Sequence, residues 1–422
     1  MTDLIERAAR GLRAGRRWGL AVFLVAACAR APAPPPGPAQ YLFAWAYDLD
    51  ERTGDSNFVA VIDVDPASPD YGRVVATATS GAAGGMPHHT EQLMPPGGLP
   101  LVANAYHADR SVLLDLRDPL RPKITGQLAA VPGYHMPHSF FRLTDGNILA
   151  TLQFGDGTTP GDPGGLALFT PDGRLLRSGS ARDSSFPGAA IRTYSLDVSP
   201  ATDRVLTTSS PMENVRTADV IQVWRLSDLT LLHTIAIPEV PTDSAWRYPF
   251  EIRFLPGGRE AFLNTYYCGF YLVSGLDGDA PRVERVLALA HPRYLECGVP
   301  TLRGRFWIMP VSAAREVLVL DLTDPRRPRQ VARLATDSAF VPHWSAPDPG
   351  SDRIVMQSEA PRDPRVLIAR FDSATGALAW DVTFRDPDTG RLGASFDRPS
   401  WPHGATGPAA PHGVVFSRSA RE

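Results

Sequence analysis

A chain of 422 residues with 43% apolar and 21% charged side chains can bury a large core, which excludes an intrinsically disordered protein. Glycine (36 residues) and proline (41) are frequent enough to demand many turns and few long helices, against an all-helical bundle. With 42 basic and 45 acidic residues and a net charge of −3 no electrostatic footprint for nucleic acid exists, and Lys123 as the lone lysine sets Schiff-base chemistry aside.

Residues 1–27 read as a secretory signal. Arg7, Arg10, Arg13, Arg16 and Arg17 precede an uncharged run from Gly19 to Ala27, too short for a permanent bilayer span. The run ends Leu24-Val25-Ala26-Ala27-Cys28, similar to a bacterial lipobox, so Cys28 is expected to become a lipidated N-terminus; ordinary cleavage a few residues later is the alternative. Residues 28–40, with the run Ala31-Pro32-Ala33-Pro34-Pro35-Pro36-Gly37-Pro38, can neither form helix nor pack and read as an extended tether. The expectation is an exported, periplasmic-side protein anchored to the membrane by lipid, with its folded domain over residues 41–422.

Within that domain one hairpin recurs, a β-rich run, a turn built on Asp, Pro or Gly, and a second β-rich run. Its first strands begin near Val59, Val112, Leu166, Ile221, Phe270, Val317 and Val366. A spacing of about 50 residues suits a propeller blade. A second pair of strands lies between these hairpins, as in Ser139–Leu143 with Ile148–Ala150, Leu196–Val198 with Val205–Leu206, and Ile252–Leu255 with Ala261–Leu263. Tyr41–Trp45 lacks a partner before it and Gly413–Phe416 lacks one after it, so each can supply the other. The sequence therefore predicts an all-β, seven-bladed β-propeller closed by pairing of its N- and C-terminal strands.

Cys268 and Cys297 remain once Cys28 is set aside, and they allow one disulfide or two separate buried thiols. Histidines carry a stronger signal. His89, His138, His343 and His412 stand at the start of the first strand of different repeats, and Pro-His recurs at 87–88, 137–138, 342–343, 402–403 and 411–412. First strands of blades line the central channel, so these four imidazoles should converge on one metal. His88 is a further ligand or its support, since neighbours on a regular strand face opposite ways. An all-histidine set suits copper, zinc, iron or nickel and argues against magnesium or calcium. Met86, Met94 and Met136 are soft ligands in reach by sequence, or packing residues. His107, His233 and His291 fall outside the pattern. Glu251 holds the corresponding strand start in another repeat, as a proton-transfer group or as an ion-pair partner of Arg253. No nucleophile elbow, Walker loop or dinucleotide fingerprint stands in a suitable context.

These residues resemble the selenium-binding protein family, which includes methanethiol oxidases. The likeness rests on His88-His89-Thr90, on His135-Met136-Pro137-His138 followed by Asp145-Gly146, on Tyr248-Pro249-Phe250-Glu251-Ile252-Arg253-Phe254-Leu255, and on Val319 to Arg329 with its Asp-Pro-x-x-Pro turn. The resemblance implies a seven-bladed propeller and copper-dependent oxidation of methanethiol to formaldehyde, hydrogen sulfide and hydrogen peroxide. It also implies selenium binding through a Cys-Ser-Ser-Cys stretch after the double histidine. Here that stretch is Glu91-Gln92-Leu93-Met94, so thiol-based selenium binding is not expected.

The resulting expectation is an exported copper oxidase of a small thiol, with His135 or Glu251 moving protons. The alternative is a non-enzymatic metal-binding or protein-binding propeller at the membrane surface.

Overall fold

The computed structural model describes residues 37–49, 54–155, 162–186, 190–213, 217–238, 248–289 and 296–418. Cys28 and the leader lie outside them. Among the described residues the strands form seven antiparallel sheets arranged as the blades of a propeller. Blade 1 has the order Ala409–Phe416, Tyr41–Asp48, Ser56–Asp63, Val74–Ala83, so the last strand of the chain is the innermost strand of the first blade. Leu42 pairs with Phe416 and Ala44 with Val414 across that closure. The inner strands of blades 2 to 7 are Pro87–Thr90, Tyr134–Arg142, Thr193–Ser199, Pro249–Phe254, Thr301–Arg303 and Pro342–Pro347.

The middle strands of each sheet are buried on both faces, as the period of a strand shows. Leu42, Ala44, Ala60 and Ile62 point to one side of blade 1 and pack with Val355, Val366 and Ile368 of blade 7. Phe43, Trp45, Val59 and Val61 point to the other and pack with Leu101, Ala103, Val112 and Leu114 of blade 2. Alternate residues thus serve alternate neighbours, which is why the strands read as continuous apolar runs rather than as polar-apolar alternation. Each buried Val, Leu, Ile or Phe among them contributes about 1.5–3 kcal/mol.

The recurring hairpin is the outer half of each blade. Aspartate ends its first strand in blades 1, 2 and 6, and its carboxylate accepts the backbone N–H two residues on, Asp63 from Asp65 at 3.0 Å, Asp115 from Arg117 at 3.1 Å and Asp321 from Thr323 at 2.9 Å. Cys268 and Cys297 form a disulfide with Cα atoms 5.2 Å apart, joining the turn between the middle strands of blade 5 to the approach to blade 6.

Candidate metal centre

The inner strands are not regular where the histidines sit. Pairing with the second strand slips between Pro87 and Thr90, Pro137 and Phe140, Pro342 and Trp344, and again between Pro411 and Val414. Each slip contains a Pro-His pair. Proline lacks the N–H that a ladder needs and is at home in a bulge, and a bulge re-aims the side chains beside it. The motif visible in sequence is therefore a bulge whose product is an inward-facing imidazole. Pro402-His403 is the exception, since His403 packs on Phe58 and meets Thr77 Oγ1 at 2.9 Å, away from the channel.

The bulge in blade 2 turns both His88 and His89 inward. Their ring centroids lie 4.2 Å apart, His88 lies 3.9 Å from His412, and His89 lies 4.2 Å from His138. One ring nitrogen from each of His88, His89 and His412 falls within 4.8 Å of the others. His88 therefore stands in the tightest set rather than behind it. His343 is at the edge, 5.1 Å from His412 between centroids, with Nδ1 3.2 Å from Glu359 Oε2.

His88 Nδ1, His89 Nε2, His138 Nε2 and His412 Nδ1 are buried without a hydrogen-bond partner. Four orphaned nitrogens in one cluster fit a metal ion, because a buried polar atom left unpaired is costly. Burial, followed by repulsion from the neighbouring rings, pushes His88, His89 and His412 well below the usual histidine range. Burial pushes His138 down to about 3, against a hydrogen bond to the Tyr194 carbonyl that acts the other way. These imidazoles are neutral near pH 7, the form that binds metals. A carbonyl can only accept, so the 3.1 Å contact between His138 Nδ1 and Tyr194 O fixes the proton on Nδ1 and leaves Nε2 its lone pair.

Asn104, in the middle of the second strand of blade 2, holds this arrangement. Its Oδ1 accepts the His89 N–H at 2.6 Å and its Nδ2 donates to Pro137 O at 2.7 Å. The device repeats around the ring, where Thr208 donates to Phe250 O and Gln357 to Pro411 O from second strands, and Ser312 to Pro342 O from the turn that follows one, each to the next blade's inner strand. Sequence reading did not single these residues out, although a polar side chain in an apolar run such as Leu101-Val102-Ala103-Asn104-Ala105 is the available signal.

The histidine layer separates two cavities along the channel. An upstream cavity of about 600 Å³ meets His88, His343 and His412, together with Tyr194, Phe250 and Glu359. A downstream cavity of about 470 Å³ meets His89, Ser139, Ser195, Glu251 and Trp344. Glu251 is 2% exposed. Its Oε2 accepts from Ser195 Oγ at 2.8 Å and pairs with Arg253 Nη1 at 2.8 Å, so the ion-pair reading and a place at the cavity hold together.

His135 stands apart from the other predicted site residues. The backbone turns through positive φ (58°) at Met136, which sends His135 to the surface, half exposed and bonded to Asp109 Oδ2 at 2.8 Å. It borders neither of the two cavities. Met94 is buried in the core between blades 1 and 2, and Met86 lines the upstream cavity.

No family model matches the chain. It is 25% identical over 232 residues to a methanethiol oxidase of Hyphomicrobium sp, half of this chain and 51% of that protein, so the chain matches about half the length of this curated relative. In fold it is similar to a hypothetical selenium-binding protein from Sulfolobus tokodaii, with a TM-score of 0.73 at 15% identity over 92% of this chain and 96% of the other. It is similar too to a periplasmic gluconolactonase of Pseudomonas aeruginosa, with a TM-score of 0.60 at 16% identity over 90% and 99% of the two chains. The likeness in sequence to a methanethiol oxidase, on a propeller shared with a selenium-binding protein, bears out the resemblance of this chain to the selenium-binding protein family.

Proposed function

We propose that this chain is an exported, copper-dependent oxidase of a small thiol of the methanethiol type. The observation that carries the reading is the convergence of four buried, neutral imidazoles, each with an orphaned nitrogen, between two cavities. Sequence similarity to a methanethiol oxidase supports the substrate class. His88, His89 and His412 would hold the metal, with His138 as a fourth donor and His343 beside them. A bound copper ion would supply a one-electron redox couple and a site with affinity for thiolate sulfur.

The protein's own part is positioning and proton handling. Bulges aim the rings, the Tyr194 carbonyl sets the His138 tautomer, and Asn104 holds the inner strands of blades 2 and 3 in register. The downstream cavity brings a ligand beside His89. Ser195, whose hydroxyl donates to Glu251 Oε2, carries a proton between that cavity and the carboxylate. The net reaction takes methanethiol, dioxygen and water to formaldehyde, hydrogen sulfide and hydrogen peroxide.

The Cys268–Cys297 disulfide supports export, since disulfides persist in oxidising compartments. Anchoring through lipidated Cys28 is part of the same reading. Cys28→Ser should move the protein from the membrane to the soluble fraction or block its processing, and an unchanged membrane fraction and mature mass would count against it.

Metal analysis of the purified protein followed by methanethiol-dependent oxygen uptake tests the whole. One copper per chain with uptake is expected. Copper without uptake leaves a metal-binding propeller, and absence of any metal ends the oxidase reading.

A further inference from the structure

We propose that the downstream cavity receives the uncharged, apolar tail of a thiol longer than methanethiol, and that thiols with charged tails are excluded from it. The inference rests on the thiol-oxidase reading and concerns which thiols that site takes.

Size is the first argument. The cavity holds about 470 Å³, within the roughly 300–1,000 Å³ of sites that enclose drug-sized ligands. Methanethiol has one carbon and one sulfur. A water molecule takes about 30 Å³ in the liquid, so a molecule of two heavy atoms leaves most of this volume to be filled by something else.

The walls say what fills it. Beyond His89 the cavity is bordered by Phe141, Leu143, Leu196, Phe254, Leu302 and Leu93. Leu93, 51% exposed, is among the few large apolar side chains left open to solvent. Water held against such walls is released by an apolar ligand, which is the driving force for its binding.

Charge is the third argument, because this cavity is not short of ionised groups. Three carboxyl groups, Glu91, Asp197 and Glu251, and three guanidiniums, Arg142, Arg253 and Arg418, border it. Arg142 is clamped on both oxygens of Glu91 at 2.9 Å. Arg253 is held by Glu251 at 2.8 Å and donates to Gln92 Oε1 at 3.0 Å. Arg418 donates to the Met94 carbonyl at 3.0 Å, and Asp197 Oδ2 accepts the Phe254 N–H at 2.6 Å. A carboxylate or ammonium on an incoming tail would have to break the Glu91–Arg142 or Glu251–Arg253 pair, compete with the backbone partners of Arg418 and Asp197, or enter unpaired, and each is costly.

For such a thiol the reaction balances as for the smallest one. The carbon bearing sulfur loses two electrons and its C–S bond, and takes the oxygen of one water to become an aldehyde. Dioxygen takes the two electrons and two protons to become hydrogen peroxide, and sulfur leaves as hydrogen sulfide.

The test uses the purified protein and two series of probes, methyl alkyl sulfides for binding by calorimetry and straight-chain thiols from methanethiol to hexanethiol, with cysteine, for oxygen uptake. Affinity for the sulfides is expected to rise about fourfold per methylene, the value of one buried CH₂, until the cavity is full, and kcat/KM for the thiols to rise with it. Cysteine should lie at least a hundredfold below propanethiol. Leu93→Trp and Thr144→Trp, two exposed positions bordering the cavity, should cut hexanethiol and hexyl sulfide by tenfold or more relative to methanethiol. Affinity that is flat or falls with chain length, or variants that leave the hexyl probes unchanged, would overturn the proposal. Sulfide binding that climbs with chain length in a protein that oxidises no thiol would uphold the cavity assignment and remove the oxidase reading.

Discussion

His88 and His89 are neighbours in sequence, yet their rings meet edge to face inside the channel, centroids 4.2 Å apart at an interplanar angle of 88°. Each borders a different cavity, His88 the upstream one and His89 the downstream one. The bulge between Pro87 and Thr90 makes this geometry available, because a regular strand would have sent one of the two rings away from the axis.

The first prediction follows from that relationship. His88→Ala, His89→Ala and His412→Ala should each abolish stoichiometric metal, with His138→Ala close behind, while the β-rich circular dichroism spectrum is kept. His343→Ala should weaken metal by a smaller factor, about 10–100-fold, the range for a supporting residue, because its Nδ1 is already engaged by Glu359. His107→Ala and His135→Ala should change nothing. Metal content after gel filtration measures all seven, and full occupancy in the first three variants would dispose of the axial site.

Asn104→Ala should lower stability by about 1–3 kcal/mol, since it strands a buried backbone N–H and two carbonyls. Metal affinity should fall with it, as the carbonyls belong to Pro137 and His138 themselves. Guanidinium unfolding and a competitive chelator titration give the two numbers. A loss of stability with unaltered affinity would show that Asn104 serves the blade and not the site.

Acid should destabilise the metal-free protein. His88, His89, His138 and His412 titrate below the range of an unfolded histidine, about 6.5. As pH falls below that value the unfolded chain takes up protons that the folded chain refuses, so stability is complete above it and is lost toward the folded value, about 3 for His138. Asp197, pushed up to about 6 by burial, and Glu91, also raised by burial, act in the opposite sense, but four histidines outweigh two carboxyls. Unfolding midpoints between pH 7 and 4.5 should decline, and His138→Asn should reduce that slope by about 1.4 kcal/mol per pH unit. An equal slope in the variant would mean that His138 is protonated in the folded state.

Cys268 and Cys297 are fully buried and 29 residues apart. The double variant to serine should lose about 3 kcal/mol, the contribution of a crosslink over a loop of this order. Reductant should leave the native protein untouched until denaturant is added. Thiol titration of the unreduced protein in denaturant would report reaction at both cysteines if the pair were open in solution.

Much of this protein was legible in its sequence because its strands obey local rules. Continuous β-rich apolar runs, aspartate turns and a repeat near 50 residues sufficed for seven blades, and the unpaired runs at Tyr41 and Gly413 sufficed for the closure, since each element carries its own hydrogen-bonding requirement. The convergence of His89, His138, His343 and His412 was legible too, because equivalent positions in a radial repeat face one axis. Tertiary structure decided the rest. His88 joined the centre because a bulge broke the alternation of its strand, and His135 left it because the backbone at Met136 turned through positive φ. Asn104, Gln357 and their counterparts became visible only once the next blade's carbonyls stood opposite them. The pairing of Cys268 with Cys297 and the charge-matched walls of the downstream cavity likewise join residues far apart in the chain. Such contacts depend on which blades are neighbours and on how far each inner strand departs from its ideal path, and no local spacing records either.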